Sequence, residues 1–82
     1  MLAEHFIYIS DKQLNDLQKL DLSDNDFATI DLPYYNILCN NLSQCHNLKM
    51  LNLGDHNIAF LSIQKFRMLR KALSKLTKLK IS

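Results

Sequence analysis

Glycine and proline occur once each in this chain of 82 residues, at Gly54 and Pro33. That scarcity excludes a hairpin-rich sandwich or barrel, which needs many tight turns. With a single glycine there is also no glycine-rich loop to cradle a phosphate. No run approaches the roughly 20 apolar residues of a membrane span. The opening Met1-Leu2-Ala3-Glu4-His5-Phe6 lacks the basic stretch and small-residue cleavage site of a secretory signal. These absences predict an intracellular, cytoplasmic protein. Two cysteines, Cys39 and Cys45, cannot build a disulfide framework and would stay free in a reducing compartment. Acids are nearly missing from the second half. Residues 41–82 hold Asp55 alone against eight bases, while residues 1–40 hold seven acids against Lys12 and Lys19. Such an electrically polar chain can steer association.

What is present is an ordinary globular composition, 48% hydrophobic and 22% charged. A chain of this length makes one small domain that buries roughly 60–65% of its unfolded surface. Its clearest feature is an internal copy. Leu48-Lys49-Met50-Leu51-Asn52-Leu53-Gly54-Asp55-His56-Asn57-Ile58 repeats Leu17-Gln18-Lys19-Leu20-Asp21-Leu22-Ser23-Asp24-Asn25-Asp26-Phe27, shifted by 31 residues. Steps of three and then two between leucines set the last two on one face of a short strand. Asn25 stands where His56 stands in the second copy, with Asn57 one residue later. Self-similarity at such a period is the signature of repeat architecture.

Taken in order, residues 2–9 read as the helical half of an incomplete first repeat, and residues 11–18 as a bend toward a strand. Strands are expected over 20–22, 51–53 and 79–81. Pro33 suits the first turn of a helix, placed at about 34–43 with Tyr34, Leu38 and Leu42 inward and Tyr35 or Cys39 alongside. Ser62 can cap a second helix at about 63–75, with Phe66, Leu69, Leu73 and Leu76 at helical spacing.

Together Leu38, Leu42, Cys45, Leu48, Leu51, Leu53, the position 56/57 and Ile58 resemble the leucine-rich repeat. The repeat lengths of 31 and about 28 look like its ribonuclease-inhibitor-like subclass. The resemblance covers about residues 14–81. It implies an α/β fold: a short solenoid of about two and a half repeats, with parallel strands on the concave side and helices on the convex side. The chain then divides as one module: a partial first repeat over 1–16, repeats over 17–47 and 48–75, and the start of a further repeat over 76–82. The family's asparagine ties the turn to backbone, a role that falls on Asn25; Cys45 matches its cysteine position, and His56 and Asn57 share the second turn. Neither end carries a capping motif. The expectation is a fragment, or a subunit whose ends other chains cover.

The chemistry-bearing residues point away from catalysis. Cys39, Cys45, His46 and His56 fit no compact zinc spacing. Adjacent Cys45 and His46 do not converge on one reacting atom. The acids at 21, 24 and 26 lack the glycine and glutamate of a calcium loop. Tyr34, Tyr35, Phe60 and Phe66 read as core rather than as a stacking platform for bases. No catalytic, cofactor-binding, metal or small-molecule site is expected. A protein partner or larger complex is expected on the outward strand residues Lys19, Asp21, Ser23, Met50, Asn52, Gly54, Lys78 and Lys80. A basic surface of Lys65, Arg67, Arg70, Lys71 and Lys75 would meet an acidic neighbour. The alternative is a small RNA-associated subunit that tracks phosphates with residues 65–80.

Overall fold

Leu20 and Leu51, one per sequence copy, lie opposite each other in a two-stranded parallel sheet of β1 (Lys19–Asp21) and β2 (Met50–Asn52). The pairs Lys19↔Met50, Leu20↔Leu51 and Asp21↔Asn52 share the 31-residue offset of the two copies. Side chains alternate along each strand, so the leucines point inward and the pairs on either side face outward. This computed structural model describes residues 1–54 and 58–80.

Among the described residues four helices accompany the sheet. Helix α1 (Ala3–Ile7) and α2 (Asp11–Asp16) precede β1, α3 (Leu32–Ser43) follows it, and α4 (Ile63–Leu73) follows β2. Among the described residues a 3-10 turn lies between each strand and its helix, Phe27–Thr29 in the first unit and Ile58–Phe60 in the second. Pro33 sits in the first turn of α3, and Ser62 caps α4 by accepting the Lys65 N–H at 3.2 Å. Parallel strands need such a crossover helix between them. Helices α3 and α4 pack against each other, and α1 packs on α3. The core is a single cluster in which Phe6, Leu14, Leu22, Tyr35, Leu38, Leu42 and Leu48 are fully buried.

The expected solenoid of about two and a half repeats is overturned. Among the described residues there are two strands, and the molecule measures 29 × 27 × 20 Å, with no long axis along which repeats would stack. Its radius of gyration, 11.6 Å, is what a compact domain of this length has, about 11.7 Å. Two causes are visible. The stretch expected to begin a third strand gives one sheet-like bond, from Lys80 N to Lys49 O at 3.1 Å, and no strand; Ile81 lies outside the described residues. At the other side, residues 11–16 form a helix where a bend was expected. Ser10 and Gln13 close a capping box there, with Gln13 N to Ser10 Oγ at 3.3 Å and Ser10 N to Gln13 Oε1 at 3.2 Å. Helices α1 and α2 thereby lay Ala3, Phe6 and Leu14 over the core on that side, so the core is covered there rather than bare.

Candidate functional site

The outward strand residues gather on one face. Lys19, Asp21, Met50 and Asn52 line a shallow groove that runs across the two strands. Asp21 and Asn52 are already engaged. Asp21 Oδ1 accepts from Ser23 N at 2.9 Å and from the Ser23 hydroxyl at 2.5 Å. These bonds hold the Asp21 carboxyl below its ordinary value. One unit later Asn52 Oδ1 accepts from Gly54 N at 2.8 Å, the same local turn. Met50 is 58% exposed, and Leu20, Leu51 and Leu53 form the apolar part of the groove behind it. Lys78 donates to Asn47 Oδ1 at 2.7 Å, and Lys80 is exposed beside the β2 edge.

The first turn is built around Asn25. Its Nδ2 donates to Leu22 O at 2.8 Å, to Met1 O at 3.0 Å and to Ser23 O at 3.2 Å, while its Oδ1 accepts from Ala3 N at 2.8 Å. One side chain thus closes the turn and satisfies a first-turn N–H of α1. Asp24 and Asp26 flank it at φ 61° and 47°, in the left-handed region that short polar residues tolerate best after glycine. His56 and Asn57 lie outside the described residues.

Cys45 is fully buried and its thiol donates to Asn41 O at 3.5 Å. Cys39 lies in the groove between α3 and α4, beside Asn36, Asn40, Met68 and Ala72. Burial pushes both thiols up to about 11 and raises the Tyr35 phenol as well. Thiols so placed are poor nucleophiles. Among the described residues no three His, Cys, Asp or Glu side chains come together to hold a metal ion. No helix there is long and apolar enough to cross a membrane.

Helix α4 departs furthest from expectation. Lys65 is not part of a basic surface: it is 8% exposed. Its ammonium donates to Phe27 O and Ala28 O at 3.0 Å each and to Ile30 O, and it lies 5.0 Å from the centre of the Tyr35 ring. The Tyr35 hydroxyl returns a bond to Lys65 O at 3.0 Å. Carbonyls of a 3-10 turn and of the residue after it supply the acceptors that a buried cation needs. The other four bases, Arg67, Arg70, Lys71 and Lys75, are exposed, with Lys71 and Lys75 rimming the α3–α4 groove.

The aromatic residues correct the expectation in the other direction. Tyr35 is core, but Tyr34, Phe60 and Phe66 are exposed. Phe66, Arg70 and Leu73 line an apolar depression of about 370 Å³ on the flank of α4 that does not face α3. Phe60 is 75%, Ile63 71% and Phe66 56% exposed. The helical period of Phe66, Leu69 and Leu73 marks them as apolar. It does not say that the packed face is centred on Lys65, Leu69 and Ala72, which leaves Phe66 to one side. No protein-family model, curated protein or solved structure matches this chain.

Proposed function

We propose that this chain is a non-catalytic interaction module that joins a protein partner or a larger assembly and uses no cofactor, metal or small-molecule substrate. The observation that carries this is the open flank of α4. There Ile63 and Phe66, one helical turn apart, leave most of their surface in water, with Arg67 and Arg70 a turn further along the same helix; Phe60, just before the helix, is exposed as well. Contiguous apolar surface with a polar rim marks a contact site. No acid occurs from Ala59 to Lys80, so the rim suits an acidic protein surface. The groove of Lys19, Asp21, Met50 and Asn52 offers further area. Free, buried Cys39 and Cys45 suit the cytoplasm, where we place the protein. In sequence its two strand–turn–helix units are similar to leucine-rich repeats. The RNA alternative is weakened because Lys65, one of its phosphate-tracking bases, is occupied by carbonyls.

A display selection of random peptides on the immobilised chain, with Phe66→Glu as counter-target, tests the proposal. The expected result is a set of acidic, apolar peptides that bind the native chain in high salt and not the variant. Peptides that bind both equally would contradict it. So would a preference for mixed RNA that falls steeply with salt.

A further inference from the structure

Across the 31-residue offset, Leu38/Leu69 and Cys45/Leu76 are buried in both units, but other positions are sealed in the first and open in the second. Leu20, Leu22, Tyr35 and Leu42 are buried, whereas their counterparts Leu51, Leu53 and Leu73 are half-buried and Phe66 is exposed. The difference has a visible origin. In the first unit α4 lies against α3, where Lys65 covers the Tyr35 ring and Met68 and Ala72 border Cys39. In the second unit no described element lies against the matching flank of α4. Where α3 offers α4 the neutral Cys39, α4 offers Arg70. The vacant flank therefore repeats a helix-receiving surface with a cation added at its centre.

We infer that this flank receives an amphipathic helix of the partner protein, laid along α4 as α4 lies along α3, with a carboxylate against Arg70. This rests on the proposal that the chain is an interaction module. A second copy fits poorly. Two α4 helices face to face would bring Arg67 and Arg70 against their equals with no acid in the segment to offset them. Head to tail, α1 offers five residues and has already turned Ala3 and Phe6 into its own core. The matching chemistry is a helix with small and flexible apolar residues in one stripe, as Met68 and Ala72 are, rimmed by Asp or Glu.

The probe is the peptide of residues 62–76 carrying Lys65→Glu, Lys71→Glu and Lys75→Glu, titrated onto the full chain by fluorescence anisotropy beside the unaltered peptide. The acidic peptide is expected to bind about ten-fold more tightly than the unaltered one, as close charge pairs at an interface allow. Phe66→Glu should abolish binding, and Arg70→Glu should reverse the preference between the two peptides. Both residues are exposed, so both variants should keep the circular dichroism of the native chain. Failure of the acidic peptide to bind, or equal binding to Phe66→Glu, overturns the inference. So does a chain that sediments as a dimer and becomes monomeric on Phe66→Glu, since a second copy would then be the occupant. Extended peptides from the display selection that need Phe66 would also overturn the helix, and would leave the interaction module standing.

Discussion

Lys65→Met removes a charge from inside the protein, and the structure says that the protein should suffer for it. Methionine keeps the apolar stem and its packing but deletes three donated bonds and the contact with the Tyr35 ring. Phe27 O keeps the Ile30 N–H at 3.3 Å, whereas Ala28 O and Ile30 O lose a charged donor. Both belong to half-buried residues that water partly reaches, so each loss is worth about 1 kcal/mol, at the low end for an unsatisfied acceptor. The cation–π contact adds about 1 kcal/mol. Methionine also escapes the desolvation cost of the ammonium, which reduces the net loss to about 2 kcal/mol. A domain of this length has about 4–12 kcal/mol in total, so the fraction is large. At about 4–8 °C per kcal/mol, Tm should fall by about 8–16 °C. Thermal unfolding followed by circular dichroism measures this, with exposed Lys71→Met as the control expected within about 0.5 kcal/mol of the native chain. A Tm for Lys65→Met within about 2 °C of the native value would refute the reasoning. It would mean that the carbonyls find water as readily as they find the lysine.

Asn25→Ala should cost about 2–3 kcal/mol in urea unfolding, because it unpairs Leu22 O and the Ala3 N–H together. Asn25→Asp should cost more, since it keeps the acceptor but sets a carboxylate among carbonyls; equal stability of the two variants would contradict the geometry. Cys39 and Cys45 should resist iodoacetamide at pH 8 in the folded chain and react readily in urea. Their folded pKa values lie above the ordinary 9.0, at about 11. The thiols therefore lend stability that is complete below pH 9 and lost as pH rises toward 11. An unfolding midpoint that stays flat across that range would count against the burial of both.

The pairing of Leu20 with Leu51 was legible because the period-2 pattern of a strand and the 31-residue copy point to the same register. The helices α3 and α4 announced themselves through Pro33, Ser62 and their apolar spacing. Helix α2 was equally readable, since Ser10 and Gln13 stand at capping-box spacing, but the repeat frame assigned that stretch to a bend. The copy extended to Leu79-Lys80-Ile81 gives one bond, from Lys80 N to Lys49 O, over its described part, and Ile81 lies outside the described residues. A repeated pattern records what a segment suits and not how long a run of pairing it makes. Lys65 and Phe66 exchanged places. A lysine is read as surface and a phenylalanine as core. Three carbonyls from the turn at Phe27–Thr29 and its C-terminal neighbour, some 35 residues away in sequence, hold the Lys65 ammonium inside, while Phe66, the next residue along the helix, lies outside. The candidate interaction flank followed from that placement and could not be seen without it.

The most direct measurement is amide chemical-shift mapping of the isotope-labelled chain with an acidic peptide from the display selection. The account predicts perturbations concentrated from Phe60 to Ser74 and strongest about Phe66 and Arg70. Perturbations centred on Lys19–Asp21 and Met50–Asn52, with α4 silent, would contradict it.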